Sequence, residues 1–328
     1  MEHLLEVKNL KIQFDTEEGT VYALENVSFH LNKGEILGII GETGSGKSVT
    51  ASAINRILPV PPARIVNGEI IFQGKDVLQY KREEMNKIRG KKISMIFQEP
   101  MTALNPVFKI KEQMSDVIMH HQKVNRKNAV KQATQMLEQV RIPDPEMVLD
   151  KFPHELSGGM RQRVMIATAL SCEADLLIAD EPTTALDVTT QDQILALIQE
   201  MRKNIDISVI LITHDFGVVA EICDKVAVMY GGTVVEFTDI YTLTKKPYHP
   251  YSNGLLKAIP PVDKTIEKLN TIPGSVPNLL KPPTGCRFHP RCENALEKCK
   301  IDPPPLKEIE ENHFIACYNP IKVGENNG

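Results

Sequence analysis

Gly41-Glu42-Thr43-Gly44-Ser45-Gly46-Lys47-Ser48 decides how this chain is read. The octapeptide fits G-x-x-x-x-G-K-[ST], a loop whose backbone N–H groups cradle phosphates while the Lys reaches the terminal phosphates and the Ser hydroxyl binds Mg²⁺. An apolar strand, Glu35–Ile40, runs into it and a helix opens at about Val49, the setting the motif requires. Gly41, Gly44 and Gly46 let successive N–H groups turn inward as an anion nest backed by a helix N-terminus. Gly41, Gly44, Ser45, Gly46, Lys47, Ser48 and Val49 are therefore the expected nucleotide contacts. The alternative, a ligand-free glycine turn, is disfavoured by the length of the match and its strand-to-helix setting. ATP or GTP is the expected ligand.

A second acidic motif, Leu176-Leu-Ile-Ala-Asp180-Glu181-Pro, reads as a buried strand ending in carboxylates. Asp180 at the strand end suits the outer shell of Mg²⁺. Glu181, one residue on, suits a general base toward an attacking water. Asp-Glu-Pro could also simply cap the next helix; beside the phosphate loop that reading loses weight.

Around these motifs the body alternates strands and helices. Leu5–Ile12, Val27–Leu31, Ile93–Phe97, Leu176–Ala179 and Val209–Thr213 read as strands. Lys111–Val140, Met160–Ser171 and Gln191–Lys203 read as helices, the first an all-helical insertion. The pattern predicts an α/β fold with a parallel sheet covered on both faces. Of the 22 prolines, nine precede residue 247 and thirteen lie from Pro247 onward, so a loop-rich tail is expected after the body. The 328 residues allow about two domains. A balance of 38 Lys+Arg against 42 Asp+Glu, formal charge −4, gives no support to nucleic-acid binding. At 42% hydrophobic and 24% charged, wholesale disorder is excluded. No apolar run is long enough to span a bilayer, and the start MEHLLEVKNL lacks a signal-peptide pattern, so the cytoplasm is the expected compartment.

Between the two motifs lies Leu156-Ser157-Gly158-Gly159-Met160-Arg161-Gln162-Arg163. Alone it is only a good helix N-terminus. In this order, and at this spacing, phosphate loop, Ser-Gly-Gly segment and Asp-Glu strand resemble the ATPases of ABC transporters over residues 4 to about 240. The resemblance implies a P-loop NTPase domain over 1–246, with a RecA-like core, an N-terminal antiparallel β part and a helical subdomain at about 100–160. It implies that Gln98 contacts Mg²⁺ and the attacking water, with Ser48 and Asp180 completing the metal set. Glu181 would act as base and His214 as the switch histidine at the γ-phosphate. Ser157 and Gly159 would offer donors to the γ-phosphate of a partner's nucleotide. Ala185-Leu186-Asp187 would cross a dimer interface, Phe14 would stack on adenine with Tyr22 the poorer candidate, and Glu99–Pro106 would lie near the groove for a membrane subunit. Met160 departs from the commoner Gln and looks like the peptide-importer branch.

The tail carries Cys286, Cys292, Cys299 and Cys317, spaced C-x5-C-x6-C-x17-C, while Cys172 and Cys223 sit among apolar residues and read as inert. Clustered thiols in a reducing compartment favour a metal over disulfides, and thiolate softness suits Zn²⁺ or a [4Fe–4S] cluster alike. His289, between the first two of these cysteines, reads as a loop histidine, with a metal ligand as the alternative. Tyr248-His249-Pro250-Tyr251, Ile272-Pro273-Gly274 and Gly285–Cys292 resemble the C-terminal extension of oligopeptide/dipeptide importer ATPases, here 247–328. That resemblance favours iron–sulfur over zinc. It further implies a second homologous ATPase subunit, two transmembrane permease subunits and an external peptide-binding protein, with the chain peripheral on the cytoplasmic face of the membrane. A soluble ABC ATPase acting on ribosomes or DNA is the competing expectation, and a metal-sensing regulator the third.

Overall fold

The computed structural model describes residues 3–98, 103–184, 186–259 and 271–321. Along the chain run β1 (Leu5–Thr16), β2 (Gly19–Leu31), β3 (Ile36–Ile40), α1 (Lys47–Ile54), β4 (Ala63–Phe72), β5 (Lys75–Asp76), α2 (Arg82–Asn86) and β6 (Ile93–Ile96). Next come α3 (Ile110–Gln122), α4 (Arg126–Gln139), α5 (Pro145–Leu149), α6 (Gly158–Leu170), β7 (Leu176–Asp180), α7 (Val188–Ile205) and β8 (Ser208–Thr213). The last are α8 (Phe216–Ile222), β9 (Lys225–Tyr230), β10 (Thr233–Asp239), α9 (Ile240–Lys245), α10 (Pro250–Lys257), α11 (Glu297–Ile301), β11 (Lys307–Glu310) and β12 (His313–Ile315). The elements fall into two compact units, Met1–Gln79 with Thr213–Gly328, and Tyr80–Ile212.

In the first unit β1 and β2 form an antiparallel hairpin closing at Thr16 and Gly19, and β4 pairs antiparallel along the other edge of β1. The buried apolar set on β1 is Leu5, Val7, Leu10 and Ile12, so its period-two phase slips by one residue. The register shifts between Val7 and Leu10, where Asn9 takes a left-handed φ of 47°, as a bulge does to keep both halves facing the core. This is the expected antiparallel β part. The phosphate loop hangs from a different layer. There β3 runs parallel to β9, β9 antiparallel to β10, and β10 antiparallel to β12. Every residue of β3 is buried. Helix α8 packs so closely that a Cβ on Gly38 would sit 2.6 Å from Val219 Cγ1.

The tail is more tightly joined than its proline content suggests. Strand β12 places Ile315 opposite Glu236 on β10. Glu236 is fully buried; its carboxylate accepts from the N–H groups of Tyr248 and His249 at 2.9 and 3.0 Å and pairs with His313 Nε2 at 2.7 Å. A buried carboxylate is costly unless it is paired and hydrogen-bonded, so these contacts fix where the extension leaves and rejoins the body. Strand pairing and these buried contacts tie the proline-rich tail to the first unit.

In the second unit β6, β7 and β8 are parallel in the order β8-β7-β6. All five residues of β7 are buried, the near-continuous apolar run of a strand covered on both faces. The stretch Lys111–Val140, expected as an all-helical insertion, holds two helices. Lys123 closes α3 with a left-handed φ of 60°, and the side chain of Asn125 accepts from Asn128 N to start α4. Asn at an N-cap offers the backbone a competing acceptor, which ends helix propagation. Among the described residues no helix is long and apolar enough to cross a membrane.

Candidate functional site

The phosphate loop bridges β3 and α1, and its glycines are needed for shape. Gly46 has φ 98°, and a Cβ there would lie 2.6 Å from Leu24 Cδ2. Gly44 has φ 81° with nothing within 4 Å of a would-be Cβ, so the rim of the loop is open where a phosphate would approach. The buried Lys47 ammonium turns back and donates to the carbonyls of Gly41 at 2.7 Å and Glu42 at 3.1 Å. Ser45 Oγ is buried without a hydrogen-bond partner, a polar atom of the kind an anionic ligand would satisfy. Ser48 is exposed in the first turn of α1, a turn free of acidic residues, and Val49 is half-buried beside it. That helix start therefore carries no charge opposed to a phosphate. Phe14 on β1 and Tyr22 on β2 are both half-buried, and Tyr22 N donates to Leu279 O at 2.9 Å.

The second unit holds the acidic motif. Asp180 is buried as the last residue of β7. Glu181 adopts a left-handed φ of 47° while its N–H donates to Ile212 O at 2.9 Å. A non-glycine residue held in this sparsely populated region marks a position whose surroundings over-determine it. Its Oε2 accepts from Gln98 Nε2 at 3.0 Å and from Thr184 Oγ1 at 2.9 Å. Gln98 and Glu181, 83 residues apart in sequence, are thus in direct contact. Thr184 was missed in the sequence; the Asp-Glu-Pro-Thr-Thr run was the available signal, since a Thr three residues on can reach back to a carboxylate.

The Ser-Gly-Gly segment is built as a helix start: Ser157 Oγ accepts from Met160 N at 3.3 Å. Gly159 is required because a Cβ there would lie 2.9 Å from Thr190 Cγ2. Asp187 caps α7 by accepting from Thr190 N at 2.9 Å and Thr190 Oγ1 at 2.7 Å, and those bonds hold its carboxyl below the usual range. Segment Ala185-Leu186-Asp187 is represented by its last two residues, since Ala185 lies outside the described residues, as do residues 99–102 of the predicted membrane-subunit groove. His214 follows β8, is exposed, and belongs to the first unit, where Asp215 caps α8.

The tail thiols are all free, and Cys172 and Cys223 are buried as expected. Burial pushes Cys317 up to about 12 and Cys286 up to about 11; the charge of the other three tail cysteines adds to the shift at Cys317, and that of Cys299 and Cys292 at Cys286. Cys292 is raised as well, first by burial. Yet among the described residues no group of three or more His, Cys, Asp or Glu side chains could hold a metal ion. Tetrahedral zinc, with bonds of about 2.3 Å, needs its sulfurs nearly in contact. The zinc expectation for Cys286, Cys292, Cys299 and Cys317 is corrected on this ground, and an iron–sulfur site is not reproduced either. His289 Nδ1 is engaged with Cys286 O at 2.9 Å, in keeping with a loop histidine.

Comparison with known proteins matches residues 24–184 to the ABC transporter family and 235–299 to the oligopeptide/dipeptide transporter C-terminal region. The oligopeptide transport ATP-binding protein OppD of Bacillus subtilis is 49% identical over 96% of this chain and 88% of its own length. The dipeptide transport ATP-binding protein DppD of the same organism is 48% identical over 97% of this chain and 95% of its own. Among solved structures, a dimeric ATP-binding cassette in a post-hydrolysis state with ADP and Pi superposes with a TM-score of 0.65 at 26% identity, over 72% of this chain and 98% of that one.

Proposed function

Because the chain belongs to the ATP-binding proteins of oligopeptide/dipeptide ABC transporters, ATPases that energise peptide uptake, we propose a division of labour among its residues. The N–H groups of Gly41–Ser48 and the Lys47 ammonium bind the nucleotide phosphates. Ser48, Gln98 and Asp180 hold Mg²⁺, which when bound offsets phosphate charge. Glu181 takes the proton of the attacking water, Gln98 orients that water, and His214 contacts the γ-phosphate. Phe14 stacks on adenine. Ser157 and Gly159 of one ATPase chain serve the nucleotide of another, with Asp187 at the border, so ATP draws two chains together and hydrolysis lets them part. The observation that carries the reading is Glu181 itself: left-handed at the strand end, with its carboxylate held by Gln98 and Thr184.

As an ABC peptide-transport ATPase the chain acts with transmembrane permease subunits and a substrate-binding protein. We place its partner ATPase as a second, homologous subunit and the pair at the cytoplasmic face of the membrane. The finer reading of Cys286, Cys292, Cys299 and Cys317 as ligands of a [4Fe–4S] cluster rests on their clustering in the sequence and on thiolate softness, not on a gathered metal site. Action on ribosomes or DNA is not favoured, given the match of residues 235–299 to the transporter extension.

The test is Glu181→Gln in the assembled transporter. ATP binding should persist, hydrolysis should fall by ~100-fold or more, the lower bound for a lost general base, and ATP should trap the ATPase pair closed. Wild-type turnover in that variant would remove Glu181 from the base role.

A further inference from the structure

Glu42 is a glutamate inside an anion-binding loop, where its charge opposes the ligand. The extension answers it. Arg291 Nη1 donates to Glu42 Oε2 at 2.6 Å and Nη2 to Oε1 at 3.1 Å, a bidentate fork. The guanidinium is buried, with only 5% of its side chain exposed, and its remaining donors reach the carbonyls of Pro273 (2.8 Å) and Ile272 (3.1 Å) and the Tyr230 hydroxyl (3.3 Å). Glu42 is gripped at its backbone as well, since its N–H donates to Tyr251 Oη at 3.0 Å. The carbonyl of this same residue accepts from Lys47 Nζ and from Ser45 N, each at 3.1 Å. One residue therefore links the extension to the phosphate-binding lysine.

We propose that Arg291 is a positioning residue for nucleotide binding: it neutralises Glu42 and fixes the loop around Lys47 before the triphosphate arrives. A fork to a carboxylate is the strong, orientation-specific class of ionic contact. Held this way, the Glu42 charge is turned from the phosphates and its carbonyl holds the Lys47 ammonium in place. Freed of Arg291, the same carboxylate would swing where phosphate charge belongs and raise the cost of binding. Arg291 sits between Cys286 and Cys292, so the thiol-bearing loop and the ATP loop share this residue. Hydrogen bonds between its members strap the loop, Cys286 O accepting from His289 N and Phe288 O from Arg291 N, both at 3.0 Å. The inference goes beyond the family assignment, which places nucleotide contacts on the loop and not on the extension.

The experiment is a double-mutant cycle on the full-length chain, titrating MgATP by calorimetry, with thermal unfolding measured alongside. Arg291→Ala should raise the dissociation constant for ATP by about tenfold, the scale of one charge-assisted contact. In a Glu42→Gln background the same change should cost markedly less, because no carboxylate remains to be held. A tail role confined to packing would give an equal loss in both backgrounds, or unaltered ATP affinity with only a lower unfolding temperature. Either result overturns the proposal. Should Arg291→Ala fail to fold, Arg291→Lys carries the cycle under the same criteria. Wild-type titration in parallel separates failure of this inference from failure of ATP binding.

Discussion

Lowering the pH should loosen the extension through His249. This residue is 1% exposed, and its Nδ1 accepts from Tyr251 N at 3.1 Å as the cap of α10. Accepting there requires a neutral ring. Burial lowers its pKa from 6.5 to about 4, with the nearby Glu236 carboxylate opposing the shift. The sign follows from which state binds the proton. Between pH 6.5 and 4 the unfolded chain protonates this histidine and the folded chain does not, so stability is complete above about 6.5 and declines as pH falls toward 4. A depression of about 2.5 pH units corresponds to about 3 kcal/mol in full, of which about 2 kcal/mol is lost by pH 5. His249→Asn retains an N-cap acceptor and removes the titration. Urea unfolding followed by far-UV circular dichroism suits a chain with no Trp. Taken at pH 7.5 and 5.0 for both proteins, the wild type should lose about 2 kcal/mol more than the variant across that interval. His30, also lowered to about 4 by burial, contributes to both proteins and cancels in the difference. Equal pH dependence in the two proteins would refute the account of His249.

Two further outcomes are expected. Gly159→Ala should destabilise the second unit by ~1–3 kcal/mol through overpacking against Thr190, with the loss relieved by Thr190→Ser, which deletes the Cγ2 methyl but keeps the hydroxyl that serves Asp187; paired urea denaturations check this. Chain purified without oxygen should carry iron and acid-labile sulfide in about equal amounts, both lost when Cys286, Cys292, Cys299 and Cys317 become Ser; protein free of iron would remove the cluster.

What the sequence discloses is what local chemistry fixes. Gly41–Ser48 is legible because a phosphate nest needs those glycines at that spacing. The Asp180-Glu181 strand end is legible because four buried aliphatic positions before a carboxylate have few other uses. The split of Lys111–Val140 is legible at Asn125, a strong N-cap residue between two stretches of helical periodicity. Gly231-Gly232 between Lys225–Tyr230 and Thr233–Asp239 was likewise a readable hairpin turn. The pairings that define the extension are of another kind. Glu236 meets His313 across 77 residues and Glu42 meets Arg291 across 249. A single glutamate in a loop gives no hint of its distant partner, and thirteen prolines argue for loops where β12 in fact joins β10.

Those long-range pairs explain how a segment with little apolar core takes one position. Arg287 donates to the carbonyls of Tyr22, at 3.0 Å, and Gly231, and lies 3.6 Å from Glu25. Arg291 grips Glu42, and His313 grips Glu236. Each is a largely buried ionic or charge-assisted contact, and such pairs add little net stability because desolvation offsets their attraction. Removing one partner is costly, however, since the other is left buried and uncompensated. A slipped register of the extension would break all three together, so their effect is to exclude alternative placements. Two of these arginines stand in the short run between Cys286 and Cys292, and one of them ends on the phosphate loop. The extension therefore belongs to the nucleotide-binding half of the ATPase: the contacts that select its position also set the charge around Lys47.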